Sequence, residues 1–385
     1  MSAATPTPTP YPYSPGLEGV PAGYSAVSEI DSDRSSLQYR GYDVHDLAEH
    51  GSYEETAYLL LYKKLPTQAE LDAFRELLGQ EREVPEAIYD VLRALPKTAH
   101  PMDYIRTAYS ALAAFDPDYD KPSTDEEANL RKAVRIIAKA STMVANGHRI
   151  QRGQDVVKPD PSKSTAGNFL SILYGGETPD EYTTKVMDAS LTLYAEHGFN
   201  ASTFACRVTV ATLSDLYSGI VTGIGTLRGP LHGGANEEAM RMLLEIGSPE
   251  NAEAWTRDAL ATKKKIMGFG HREYKKGDSR AFYMTRLGKD IGQRKGNTTY
   301  GDIADIMERV MLEEKNLYPN VDFPAAYAYY LLGIPIDLYT PIFVVARVAG
   351  YSAHAIEQLS NNRLIRPKAI YNGDQNLEYV PIASR

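Results

Sequence analysis

Apolar residues recur at helical spacing through most of this chain, and no strand–helix–strand rhythm runs alongside them. Between Asp125 and Ala145, Leu130, Val134, Ile137 and Val144 fall near helical spacing, with Arg131, Lys132 and Arg135 on other faces. Val186, Ala189, Leu193 and Tyr194 repeat the pattern, and Gly198, after His197, is placed to stop that helix. Asn236 has the side chain of an N-cap for a helix with Glu237 and Glu238 in its first turn and an end near Gly247. A further apolar helix is expected from Ile342 to Leu359. A short Val-bearing stretch at 207–211 could form a strand, but no regular alternation recurs. The expected architecture is mainly α, with no internal repeat.

Composition narrows what such a fold can do. At 385 residues the chain exceeds one simple core, so two lobes are expected. Hydrophobic content of 43% and charged content of 24% are those of a soluble globular protein. The most apolar run, Tyr339 to Val348, is too short to span a bilayer and is interrupted by Pro341 and Arg347. No basic region followed by an apolar stretch marks a signal peptide, and residues 1–15 form a Pro/Thr-rich arm expected to stay extended or disordered. The single cysteine, Cys206, rules out an intrachain disulfide and a thiolate zinc cluster, and fits a cytoplasmic setting. A net charge of −9, from 41 basic and 50 acidic residues, argues against general nucleic-acid binding. It leaves room for small anions, because over a Debye length of roughly 10 Å a local arginine cluster outweighs distant carboxylates.

Three turns carry the chemistry. His232 lies in Gly229-Pro230-Leu231-His232-Gly233-Gly234, directly before a helix. It is either a hydrogen-bonded structural group or an imidazole kept neutral by the helix N-terminus, able to donate N–H to an oxygen gaining charge. His271 follows Gly268-Phe269-Gly270, with Lys263, Lys264 and Lys265 before it and Lys275, Lys276 and Arg280 after it. The bland reading is an exposed turn; glycines that bring backbone N–H groups to a ligand, flanked by cations, suit a phosphorylated or acidic small molecule. Asp322 stands between Val321 and Phe323. It is a cap or turn residue, or a carboxylate whose apolar setting raises its proton affinity toward that of a general base. Arg347 interrupts an apolar run and needs either a structural acid or a substrate carboxylate. Arg366 is ambiguous alone. No His-x-His, His-Glu-x-x-His or paired cysteines support a metal, and no Gly-x-Ser-x-Gly elbow supports a nucleophilic serine. Two imidazoles and a carboxylate on three turns are the parts needed to enolise one carbonyl compound and polarise another.

These segments resemble the citrate synthase family, in particular its shorter bacterial and archaeal type, which includes 2-methylcitrate synthases. The similarity runs from Pro15-Gly16-Leu17-Glu18-Gly19-Val20 through Leu37-Gln38-Tyr39-Arg40-Gly41 and Glu55-Thr56-Ala57-Tyr58-Leu59-Leu60 to the C-terminus. Its most specific motifs are Gly229 to Glu237 and Met267 to Arg272. The resemblance implies a helical homodimer, its higher assembly open, in which residues 16–233 and 334–385 form a large domain and 234–333 an inserted small one. It implies an acyltransferase that converts the acyl group to alkyl on transfer, condensing acetyl-CoA with oxaloacetate in the tricarboxylic acid cycle. No cofactor or metal is implied, coenzyme A thioester being a substrate, and no nucleic acid or membrane partner.

Carried over residue by residue, His232 would hydrogen-bond the thioester oxygen, Asp322 would take the methyl proton and His271 would polarise the ketone. His197, Arg280, Arg347 and Arg366 would bind oxaloacetate, Arg366 from the partner subunit. Lys265, Ile266, Met267, Gly268, Phe269 and Gly270 would line coenzyme A, with Lys275 near its phosphates. Two departures stand out: Asp278-Ser279-Arg280 replaces Asp-Pro-Arg, and Pro324-Ala325-Ala326 follows Asp322-Phe323 where many members have Tyr-Ser-Gly. The second touches the acyl side, so propionyl-CoA, as in 2-methylcitrate synthases, is the alternative donor. A catalytically dead scaffold relative is the alternative class.

Overall fold

The computed structural model describes residues 13–271, 274 and 276–385. Most of the expected Pro/Thr arm, and Lys275, lie outside the described residues. The chain divides into two compact units, Ser25–Arg363 and the two termini, Met1–Tyr24 with Leu364–Arg385.

The larger unit begins with a small antiparallel sheet of β1 (Ser28–Asp31), β2 (Ser36–Tyr39) and β3 (Tyr42–Asp43), with Ser28 opposite Tyr39 and Tyr39 opposite Tyr42. Helices follow: α1 (Val44–His50), α2 (Tyr53–Tyr62), α3 (Gln68–Gln80), α4 (Glu86–Arg93), α5 (Pro101–Leu112), α6 (Glu126–Gln151), α7 (Thr165–Leu173) and α8 (Glu181–Tyr194). Then come α9 (Ala201–Val210), α10 (Leu216–Leu227), α11 (Ala235–Ile246), α12 (Pro249–Ala261), α13 (Ser279–Arg294), α14 (Thr299–Lys315), α15 (Asp322–Leu331) and α16 (Tyr339–Ser360). The mainly α expectation holds. Among the described residues no helix is long and apolar enough to cross a membrane.

Side chains that cap or bury explain the helix limits. Asp125 caps α6 by accepting from Ala128 N, and a reciprocal Thr67–Glu70 capping box starts α3. Helix α16 is buried on every side from Tyr339 to Ile356, the signature of a central helix. It packs on α2, α6, α8, α9 and α10, while α11 packs on α15, α12 on α14, and α13 on α15.

Three local expectations need correction. Residues 207–210 are helical, within α9. Asn200 caps that helix through Ser202 N and Thr203 N, and the propensity cost of Val and Thr is only a few tenths of a kcal/mol each. Helix α8 ends at Tyr194, before Gly198, because the next residues turn to place His197. The cap of α11 is Gly234, with Asn236 already inside the first turn; Gly247, at φ 75°, ends the helix as expected.

Candidate active site

The turn carrying His232 is closed from behind. Gly233 N donates to Leu227 O at 3.0 Å, and a Cβ at Gly233 would overlap that oxygen. Thr340 Oγ1, on α16, donates to Gly233 O (3.2 Å) or to Glu237 in the first turn of α11, so the turn is pinned to the central helix. His232 Nε2 lies 2.7 Å from Ser202 Oγ and 3.3 Å from Ser202 N. A backbone N–H can only donate, so Nε2 is assigned as the acceptor and Nδ1 carries the proton. Burial pushes this imidazole down to about 4, and the Arg347 charge acts in the same direction. It is therefore a neutral donor near pH 7. Burial rather than the helix terminus is the first cause.

His271 and Asp322 are brought together by one clamp. Gly268 and Gly270 adopt φ of 84° and 79°, the left-handed region that glycine enters without strain. Gly270 N donates to Tyr318 O at 2.8 Å, Asn320 N to Gly268 O at 2.9 Å, and Asn320 Nδ2 to Gly270 O at 3.0 Å. Asn320 Oδ1 accepts from Asp322 N (3.1 Å), which fixes the first residue of α15. A Cβ on Gly268 would lie 2.7 Å from Phe323 Cβ, so only glycine permits this approach. His271 Nδ1 accepts from Tyr274 N at 3.3 Å, which leaves Nε2 as its donor. Burial first, then Arg280, pushes His271 down to about 4.

His197, in the loop after α8, packs its ring edge-on to His271 with centroids 5.2 Å apart, and its Nε2 is 3.2 Å from Tyr274 Oη. Burial holds it well below the ordinary histidine range, reinforced by Arg280, His271, Arg347 and His232. One imidazole thus senses four of the expected site residues.

The arginines divide by partner. Arg280, in the first turn of α13, forms a two-pronged pair with Asp278 at 3.0 and 2.9 Å. Asp278 also caps α13 through Arg280 N and accepts from Val321 N at 3.1 Å, tying the arginine to the Asp322 turn. The serine at 279 leaves this turn closed. Arg347 is 3% exposed and donates Nε to Tyr194 O at 3.1 Å. Among the described residues no carboxylate forms an ion pair with it, so the structural-acid alternative has no support there. Arg366 belongs to the unit of the chain termini, where it is exposed.

Asp322 is pushed up to about 7, first by burial and further by Asp278, against the opposing charges of Arg280 and Arg347. Tyr194 Oη lies 3.5 Å from its Oδ1, and the Tyr194 ring packs on Phe343 with centroids 4.0 Å apart. Pro324, Ala325 and Ala326 are all buried within the packing of α15. The Tyr194–Phe343 pair is therefore the wall beside Asp322 identified by contact. On the expected coenzyme A strip, Lys265 is exposed, Ile266, Met267, Phe269 and Gly270 are half-buried, and Gly268 is buried.

Sequence reading missed Asp278, Tyr194, Ser202, Tyr274 and Asn320. Asp278, an Asp immediately before a helix, carried a capping signal. Asn320, after Pro319, carried a turn signal, and the others gave no local sign.

A carboxyl poised near neutrality, three imidazoles held neutral and two buried guanidiniums share one electrostatic neighbourhood, a set suited to acid–base chemistry on an anionic carbonyl compound. Comparison with known proteins gives the family. The profile described as "Citrate synthase, C-terminal domain" matches residues 16–368. The chain is 46% identical over 377 residues to a citrate synthase of Synechocystis sp., covering 97% of this chain and 94% of that one. It is 44% identical to 2-methylcitrate synthase 2 of Corynebacterium glutamicum over the whole of both chains. A citrate synthase from the archaeon Thermoplasma acidophilum, solved as a ternary complex with carboxymethyl coenzyme A and oxaloacetate, superimposes with a TM-score of 0.91 at 34% identity, covering 97% of this chain and 100% of that one. The chain belongs to the citrate synthase family.

Proposed function

We propose that this enzyme condenses acetyl-CoA with oxaloacetate and hydrolyses the product to citrate and coenzyme A. The observation that carries the reading is the pairing of a carboxyl at about 7 with an imidazole kept neutral and protonated on Nδ1. Asp322 removes a methyl proton while His232 Nδ1–H donates to the thioester oxygen as it becomes an enol. The enol carbon attacks the ketone carbon of oxaloacetate, whose oxygen takes a hydrogen bond from His271 Nε2. Water then cleaves the thioester, releasing coenzyme A. A base matched to the working pH serves proton removal best, and neutral imidazoles stabilise developing oxyanions without first losing a proton.

Arg347 and Arg280 bind the carboxylates of oxaloacetate with His197, and the partner subunit's Arg366 completes the set. Arg347, with no described acid partner, is suited to a ligand carboxylate through two parallel bonds, whereas Arg280 is already oriented by Asp278. Lys265 to Gly270 and Lys275 line coenzyme A. These steps need no metal or cofactor. Residues 16–233 with 334–385 form one lobe and 234–333 the other, and their closure excludes water.

A homodimer accounts for the apolar surface of the terminal unit, where Tyr24, Leu377, Tyr379 and Ile382 are 100%, 76%, 79% and 80% exposed. A cytoplasmic enzyme, with a single buried cysteine and an acyl-CoA substrate, is the setting that fits.

Steady-state thiol release from acetyl-CoA and oxaloacetate tests the activity; no release from folded dimer would leave the scaffold alternative. The 2-methylcitrate synthase reading stays in play because relatives of that name match at similar identity. One methylene in an apolar pocket is worth only about 1–3 kcal/mol, so propionyl-CoA is expected as a secondary substrate. A higher kcat/KM with propionyl-CoA would reverse the assignment.

A further inference from the structure

Directly behind His197 lies a buried polar network that the reaction does not use. Glu196 and His354 are both fully buried. Glu196 Oε1 sits 2.8 Å from His354 Nε2 and accepts from Ser28 Oγ at 3.0 Å. On the other side of the ring, Arg207 Nη1 is 3.0 Å from His354 Nδ1. A guanidinium can only donate, so Nδ1 must accept and Nε2–H must donate to Glu196. Arg207 is itself held by Glu357 at 2.7 Å and lies 4.5 Å over the Phe199 ring.

This network grips the backbone on both sides of His197. Ser28 Oγ, besides donating to Glu196, accepts from Gly198 N at 3.0 Å. Tyr39 Oη accepts from Glu196 N at 3.2 Å and lies 2.9 Å from Glu196 O. The residue before His197 and the residue after it are thus both fixed by the N-terminal sheet, while the His197 ring points to Tyr274 and His271. Helix α16 supplies the remaining wall. A Cβ at Gly350 would overlap Glu196 Oε2 and Ala195 O, so this glycine lets the loop seat on the helix. His354 is seven residues after Arg347, two turns along the same face of α16. One helix therefore sets both the guanidinium and, through Glu196, the imidazole.

We propose that Glu196, clamped between Ser28 and His354, is a positioning residue that aims His197 at bound oxaloacetate. An isolated carboxylate buried this deeply would cost several kcal/mol, and a fold that only needed to fill this space could do so with an apolar side chain. The proposal rests on His197 as an oxaloacetate ligand.

The test uses the full-length enzyme, with oxaloacetate affinity measured by calorimetry beside KM for each substrate, kcat and melting temperature. Misplacing a substrate-orienting group by about 1 Å costs up to roughly 100-fold, so Glu196→Ala is expected to weaken oxaloacetate binding at least tenfold. KM for acetyl-CoA should move by less than about twofold. Glu196→Gln, whose amide oxygen still accepts from Ser28 and His354, should recover affinity to within about threefold. Ser28→Ala removes one contact on each side of His197 and serves if Glu196→Ala does not fold; it should weaken oxaloacetate binding several-fold. Unchanged affinity in folded Ser28→Ala or Glu196→Ala, or losses confined to melting temperature, overturns the proposal. His197→Ala is the control. If it loses affinity while the clamp variants do not, the clamp alone is wrong; if it retains affinity, the assignment of His197 falls and the proposal with it.

Discussion

Replacing Asp322, the proposed general base, should cripple turnover and stabilise the fold at once, and the gain should depend on pH. The carboxyl of Asp322 sits at about 7 in the folded chain against an ordinary 3.8. Between those values the unfolded chain has released the proton and the folded chain has kept it. Native stability therefore falls as pH rises through about 4 to 7 and levels off above that window. Each tenfold difference in proton affinity between the two states is worth about 1.36 kcal/mol, so the raised proton affinity of Asp322 costs the native state about 4 kcal/mol at pH 8, where it is ionised, but only about 1.5 at pH 5, where it keeps its proton. Asparagine keeps the shape and carries no charge at either pH. The stability of Asp322→Asn relative to wild type should therefore widen by about 2–3 kcal/mol between pH 5 and pH 8.

Guanidinium denaturation of both proteins at both pH values, at one protein concentration, gives the number; the fixed concentration keeps any association contribution equal in both. Other titrating groups are common to both proteins and cancel in the difference. Turnover of the variant should fall by roughly 10²–10⁴, and the wild-type kcat/KM should show an acid limb centred near pH 7. A stability difference equal at pH 5 and pH 8 would refute the account of Asp322 as a carboxyl raised by burial.

The parts of this site that could be read along the chain are those whose setting is local. His232, His271 and Asp322 each stand in or beside a stretch marked by Gly, Pro or Asn, and His232 and Asp322 also lie just before or at the start of a helix, so their surroundings are written within a few residues of each. Their partners are not. Asp278 reaches Val321 N where α13 packs on α15, Tyr194 at the end of α8 reaches Asp322, and Ser202 reaches His232 where α9 packs on α10. Nothing within a turn of Tyr194 distinguishes it from a core aromatic. The strand expected at 207–211 failed for the complementary reason. Val208, Thr209 and Val210 carry a β preference, but Asn200 starts a helix and α10 and α16 pack upon it, and packing outweighs propensity. The sheet at 28–43 escaped because its strands are four residues or fewer, too short for alternation to register.

Further substitutions separate the remaining roles. Gly268→Ala places a side chain at φ 84° and against Phe323, so it should cost roughly 1–3 kcal/mol and raise KM for acetyl-CoA; an unchanged melting temperature and KM would count against the clamp. Arg347→Lys keeps the charge but loses the planar fork, so oxaloacetate affinity should drop with little effect on coenzyme A; equal affinity would return Arg347 to a structural role. Mixing inactive Arg366 and Asp322 variants should restore activity through heterodimers if Arg366 serves the partner's site, and well-exchanged mixtures without activity would exclude that. Tyr194→Phe tests the hydroxyl 3.5 Å from Asp322 Oδ1. That hydroxyl donates to the ionised carboxylate and so lowers the proton affinity that burial raises. Phenylalanine keeps the ring on Phe343, so the packing beside Asp322 survives while the donor is lost. The acid limb of kcat/KM should then move to higher pH, with turnover on the alkaline plateau nearly unchanged. A limb that stays in place means the hydroxyl does not reach Asp322 in the working enzyme. A fall in the plateau with no movement of the limb would make Tyr194 a packing residue alone.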